Sequence, residues 1–153
     1  MPTSKSFLPD VNFWLAAAAC RHVHHPAAKA WLDAASESLV FCRVSQMGFL
    51  RLTTNPKVLS EDVLSPRKAW EAYEKLLSDP RIRFADEPSD LERAWKDITD
   101  RGSFSQNLWT DSYLAAFAKA SGCTVITFDK AFASFAGVEV FVLESTPPSR
   151  TVA

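Results

Sequence analysis

The sequence lacks the features that mark membrane, secreted or modular proteins. Its longest interior run free of polar side chains, Phe13 to Cys20, is eight residues long and half alanine, far short of the ~20 needed to cross a bilayer. The start, MPTSKSF, has no apolar stretch of the kind found in a secretory signal, so a cytoplasmic protein is expected. Cysteine is scarce: Cys20, Cys42 and Cys123 are an odd number, far apart and without CxxC spacing. They read as small buried thiols rather than a disulfide framework or zinc site. There is no basic excess either, with 17 Lys plus Arg against 18 Asp plus Glu, which excludes a protein that coats nucleic acid indiscriminately. Repeats and Gly/Ser linkers are absent. What remains is 153 residues, 47% hydrophobic and 12% aromatic, enough for one domain with its own core. That domain is expected to cover residues 1–145, with 146–153 as a loose tail.

Strand and helix signals alternate along the chain. A short strand from Ser6 to Asp10 precedes a helix from about Val11 to Cys20. Pro26 opens a second helix as its first residue. Leu39 to Cys42 reads as a strand buried on both faces, and Ser45 as the cap of a helix that runs to about Thr54 and stops at Asn55-Pro56. Ser65-Pro66 starts a helix with Trp70, Tyr73 and Leu77 on one stripe. Ile82 to Ala85 is a short strand, and Ser89 with Glu92 forms a capping-box signature for a helix closed by Gly102. A further helix runs from about Asn107 to Ser121 and stops at Gly122. Val125 to Asp129 and Val138 to Leu143 are the last strands. This order predicts a three-layer α/β/α sandwich with a mainly parallel sheet.

In such a sheet ligands bind beyond the carboxyl ends of the strands, and the acids sort by that rule. Asp10 ends the first strand and Asp129 ends VITFD. Asp111 lies near the start of the helix leading into VITFD, on the face that carries Leu108, Leu114, Ala115 and Ala118. Asp10 and Asp129 each have a plain structural alternative as helix or turn caps. Asp111 is harder to explain in that way, since an ionised carboxylate seldom occupies an apolar stripe unless paired or metal-bound. Clustered carboxylates repel, so either their pKa values rise or a cation gathers them. An oxygen-only site suits Mg²⁺, with Mn²⁺ as the alternative, and the implied chemistry is phosphodiester hydrolysis by metal-activated water.

The chain resembles the PIN-domain ribonucleases, and within them the VapC toxins of bacterial type II toxin–antitoxin systems. The resemblance covers nearly all of it to about Leu143. It rests on LPDVNFWLAAA around Asp10, HVHHPAAKAWL, VSQMGFLRLTTNP, LWTDSYLAAFAKASG around Asp111 and VITFDKAF around Asp129. It implies a parallel-sheet sandwich, Mg²⁺-dependent endonucleolytic cleavage of RNA, and control by a small antitoxin of the VapB type. By the same resemblance Asp10, Asp111 and Asp129 match the first, third and fourth metal-binding acids. Where the family has its second acid this chain has Gln46, which keeps an oxygen but loses a charge. A single ion on Asp10 and Asp111, with Asp129 binding through water, is the resulting expectation. Asn12, Gln46 and Thr127 are assigned supporting roles around the site.

His22, His24 and His25 match no common structural zinc spacing and are expected in a loop between helices. Asp86 and Glu87 read as a solvated turn. Of the five tryptophans, Trp109 alone is a candidate for stacking on a base. Arg43, Arg51 and Arg101 are candidate phosphate contacts. Two functions therefore compete: a metal-dependent ribonuclease toxin, and a binding or regulatory module that Gln46 has deprived of catalysis. A homodimer or toxin–antitoxin hetero-oligomer is expected, with the Ser65 to Ser78 helix as one candidate surface. Aspartate-nucleophile phosphatases want a second acid two residues after the first, where Asn12 stands, and response-regulator receivers want an acid pair where Pro9 precedes Asp10.

Overall fold

Five short strands form one all-parallel sheet in the order β3-β2-β1-β4-β5. The computed structural model of the protein describes residues 5–100 and 107–144. Gly102, Arg101 and the tail 146–153 lie outside the described residues. The strands are β1 (Ser6–Pro9), β2 (Ser38–Phe41), β3 (Ile82–Phe84), β4 (Thr124–Thr127) and β5 (Val140–Val142). β1 is central, registered Phe7 to Leu39 on one side and Pro9 to Ile126 on the other. The chain moves outward from β1 to β2 to β3 and then returns to lay β4 on β1's free side. This reversal between β1 and β4 is the switch point where open parallel sheets bind ligands.

Helices cover both faces, so the central strands β1, β2 and β4 are largely buried on both, while the edge strands β3 and β5 are partly exposed. On one face α1 (Val11–Ala18), α2 (His25–Ala34), α3 (Arg43–Thr53) and α5 (Pro66–Leu77) pack Phe13, Trp14, Ala28, Phe49 and Tyr73 onto Leu39, Phe41 and Ile126. On the other, α6 (Leu91–Asp100) and α7 (Leu108–Ser121) pack Leu91, Ile98 and Leu114 with Leu8, Val40 and Val125. Successive strand residues alternate between these two cores, as the pleat requires. Phe13 and Trp14 are fully buried, and each such aromatic contributes on the order of 2 kcal/mol of burial energy. Among the described residues no helix is long and apolar enough to cross a membrane.

Most local signals lead to the observed elements, but Cys20, expected as a buried thiol, is exposed, Pro26 is the second rather than the first residue of α2, and three further helix boundaries differ. The third helix starts at Arg43, capped by Cys42, and Ser45 lies inside its first turn. The Ser45 hydroxyl accepts from the Cys42 amide at 3.0 Å, so the serine completes the cap from within. Asn55-Pro56 not only stops that helix but opens a short one, α4 (Pro56–Leu59), in which the Asn55 side chain accepts from the Lys57 amide. The helix assigned to the Ser89/Glu92 signature begins at Leu91, one residue beyond a Ser89 cap. By contrast Ser65 caps α5 as read, accepting from the Lys68 amide, and Gly122 ends α7 at φ 74°. Only glycine takes that backbone region without strain.

Candidate active site

Asp10 directly follows β1 and caps α1, its Oδ1 accepting from the Phe13 amide at 2.8 Å. Its own amide donates to the Ile126 carbonyl, which fixes it at the β1–β4 seam. The other carboxylate oxygen, Oδ2, accepts from the Thr127 hydroxyl at 2.5 Å. The same Thr127 oxygen accepts from the Asp129 amide at 3.0 Å. One buried hydroxyl at the end of β4 therefore joins the two strand-end acids. Asp129 in turn caps the 3-10 turn Lys130–Ser134 through the Ala131 amide. Both capping roles foreseen for these acids are realised, and they coexist with the shared crevice.

Asp111 stands in the first turn of α7, half-buried. Burial pushes its carboxyl up to about 6, and the charge of Asp129 adds to the rise. Asp10 is only 6% exposed. Burial raises it to about 6 as well; the hydrogen bonds from Thr127 and Phe13 oppose the rise, and Asp111 and Asp129 reinforce it. The three acids thus sense one another across the crevice, and among the described residues none of them forms an ion pair. Nor do they make a ready ligand shell: among the described residues no group of three or more His, Cys, Asp or Glu side chains is drawn close enough to hold a metal. The arrangement has oxygen donors and uncompensated negative charge, which fit a hard cation.

The remaining candidates divide. Gln46 is 7% exposed, and its Oε1 accepts from Arg43 Nη1 at 2.5 Å. The Arg43 guanidinium also lies 4.7 Å from the Phe84 ring centroid. Asn12 is exposed on the first turn of α1, and Arg51 is exposed in the last turn of α3. Asp86 and Glu87 are exposed, as expected of a solvated turn, and the Glu87 carboxylate in addition accepts from the Tyr113 hydroxyl at 2.7 Å, tying the segment before α6 to α7. The His25 ring is paired with the Ala16 carbonyl and the His24 ring stacks on Phe128, so these two histidines brace the loop between α1 and α2. Trp109 is exposed and meets Trp95 edge to face. A cavity of about 240 Å³ opens among Ala18, Cys20, Arg21, Leu59 and Asp62 and contains none of the three acids.

Two features escaped the sequence reading. The Arg43–Gln46 pair was visible in principle, because residues three apart on a helix are neighbours. The packing of Gly48 against Val11, where a Cβ would lie 2.6 Å from Val11 Cγ2, had no local signal, because nothing near Gly48 says that α1 lies against it.

Comparison with known proteins agrees with this fold. A family model described as the PIN domain matches residues 7–138. The chain is 44% identical over 142 residues to Ribonuclease VapC41 of Mycobacterium tuberculosis, covering 89% of this chain and 97% of that protein. Among solved structures, VapBC2 from Rickettsia felis, bound to a DNA fragment from its promoter, matches with a TM-score of 0.67 and 10% identity over 91% of this chain and 99% of that one. Mycobacterium tuberculosis VapC20, described as a sarcin-ricin loop cleaving toxin, matches with a TM-score of 0.63 and 21% identity over 86% and 98%. At these identities the two structures speak for the fold.

Proposed function

The chain belongs to the PIN-domain family, in its VapC branch, and from that membership we propose that it is the endoribonuclease toxin of a toxin–antitoxin pair, hydrolysing RNA phosphodiester bonds with a divalent cation at the Asp10 crevice. The observation that carries this reading is Asp10 itself: buried, flanked by two further carboxylates, and facing no basic group in an ion pair among the described residues. Asn would cap α1 equally well, so an acid kept there at energetic cost argues against a module that has lost catalysis.

Asp10 and Asp111 would hold Mg²⁺ or Mn²⁺, with Asp129 contributing directly or through water. When bound, the ion supplies neutralisation of the phosphate and acidifies an adjacent water. Thr127 orients Asp10 through Oδ2 and anchors Asp129 through its amide. Burial and the neighbouring charge of Asp129 push the Asp111 carboxyl up, and a cation held there would relieve that repulsion and keep it ionised as a ligand. Gln46 adds no charge, and its oxygen is engaged by Arg43, which favours one ion over two. The toxin would act in the cytoplasm and pair with a VapB-type antitoxin, in keeping with relatives solved as VapBC complexes. A basic antitoxin side chain is expected to enter the carboxylate crevice and relieve the same repulsion.

The test is cleavage of RNA by the purified protein in Mg²⁺, in Mn²⁺ and in EDTA, beside Asp111→Ala. The parent should cleave only with metal, and the variant should lose activity. Equal activity in the two proteins overturns the reading.

A further inference from the structure

Arg43 differs from the other surface cations that the fold places in contact with something. Lys5, Arg21, Lys29 and Arg81 are each paired with a carboxylate, whereas Arg43, among the described residues, contacts only neutral groups. Its Nη1 donates to Gln46 Oε1, and its guanidinium lies over the Phe84 ring. Gln46 is itself buried and lies against Tyr73, whose hydroxyl is pushed up by burial, with the Gln46 amide and the Arg43 charge opposing the rise. The guanidinium is thus clamped by one hydrogen bond and one aromatic face. A guanidinium carries five N–H donors in one plane. Stacking uses its face and Gln46 one donor, leaving a fork of the shape that matches two phosphate oxygens.

Its place in the sheet matters equally. Continuing the β1–β2 register from Phe7 and Leu39 sets Asp10 level with Cys42, and Arg43 follows just beyond. Phe84 ends β3, one strand farther out. Arg43 thus leaves the sheet at the same carboxyl edge as Asp10, one strand along, and its guanidinium reaches outward to the Phe84 ring at the end of β3.

We propose that Arg43 binds a backbone phosphate of single-stranded RNA next to the phosphate that is cleaved, and that Gln46 is the positioning residue that holds its guanidinium. The inference rests on the ribonuclease reading. It also explains why a neutral amide suits position 46. A glutamate there would close an ion pair with Arg43 and consume its charge, whereas glutamine fixes the orientation and leaves the charge for phosphate.

The experiment is fluorescence anisotropy with a short labelled single-stranded RNA of mixed sequence in EDTA, titrated between about 50 and 200 mM KCl. Arg43→Gln should lower the slope of log affinity against log salt by about 0.7, so that binding loses about threefold less over that range. Arg43→Lys should keep the slope yet bind more weakly, because the charge remains and the fork is gone. Gln46→Glu should reproduce the slope loss of Arg43→Gln. Should Gln46→Glu fail to fold by circular dichroism, the exposed Arg43→Gln decides alone. An unchanged slope in Arg43→Gln overturns the proposal, as does an absence of RNA binding by the parent at low salt. If the slope falls but the parent shows no metal-dependent cleavage, the phosphate site stands and the ribonuclease reading falls; normal cleavage with an unchanged slope gives the converse.

Discussion

Replacing Asp10 with asparagine should stabilise the metal-free protein at neutral pH. The carboxyl has moved from its ordinary 3.8 to about 6, chiefly through burial, which corresponds to about 3 kcal/mol withdrawn from folding. Because the folded value is the higher one, the folded chain holds that proton more tightly than the unfolded chain does. The penalty is therefore fully present above about pH 6, shrinks as pH falls from 6 toward 3.8, and vanishes below that. Asparagine keeps an oxygen for the Phe13 amide. The Thr127 hydroxyl must re-form its bond with the new amide, at a cost of about 1 kcal/mol. The net gain is about 2 kcal/mol, or about 4–8 °C in Tm for a chain of this size. Urea denaturation followed by tryptophan fluorescence in EDTA, at about pH 7.5 and pH 4.5, measures it. The advantage should be present at the higher pH and absent or reversed at the lower. Adding Mg²⁺ should stabilise the parent and not the variant. Equal destabilisation of Asp10→Asn at both pH values would refute the argument, because it would mean that the carboxylate is not penalised by its surroundings.

Two further outcomes follow from the packing around Asp10. Gly48→Ala places a methyl 2.6 Å from Val11 Cγ2, so the Val11 side chain or α3 itself must shift; the expected cost is about 1–3 kcal/mol in urea midpoints, and Val11→Ala in the same chain should recover much of it, whereas additive losses would count against the contact. Thr127→Val removes the donor to Asp10 and the acceptor for the Asp129 amide, costing about 1–3 kcal/mol and moving the Asp10 carboxyl above its present value of about 6. Side-chain carboxyl NMR against pH reads that shift, and an unmoved Asp10 would sink the assigned role.

Much of the fold was legible because the signals are local. Val125, Ile126 and Thr127 are β-branched and need only their own backbone preference to read as strand. Ser65-Pro66 and Gly122 mark helix ends through constraints carried by single residues. Where two local signals conflicted, the reading slipped. Ser45 has the chemistry of a cap, but the chain had already turned at Cys42, and the serine completes that cap from the third helical position. Asn55-Pro56 is both a stop and a start, since the proline that cannot continue one helix is well suited to open the next.

The same division runs through the site. By itself the sequence determined which acids stand at strand ends and at a helix start, because periodicity and capping fix those positions within a few residues of Asp10, Asp111 and Asp129. The strand order that sets β1 beside β4, the hydroxyl of Thr127 that joins two acids 117 and two residues away, and the burial that lifts Asp10 to about 6 were decided only by the tertiary structure. So was the pairing of Gln46 with an arginine rather than with the acids. The reason is physical: a carboxylate's charge state and partners depend on how much water and which other charges surround it, and both are set by chain segments far apart in sequence.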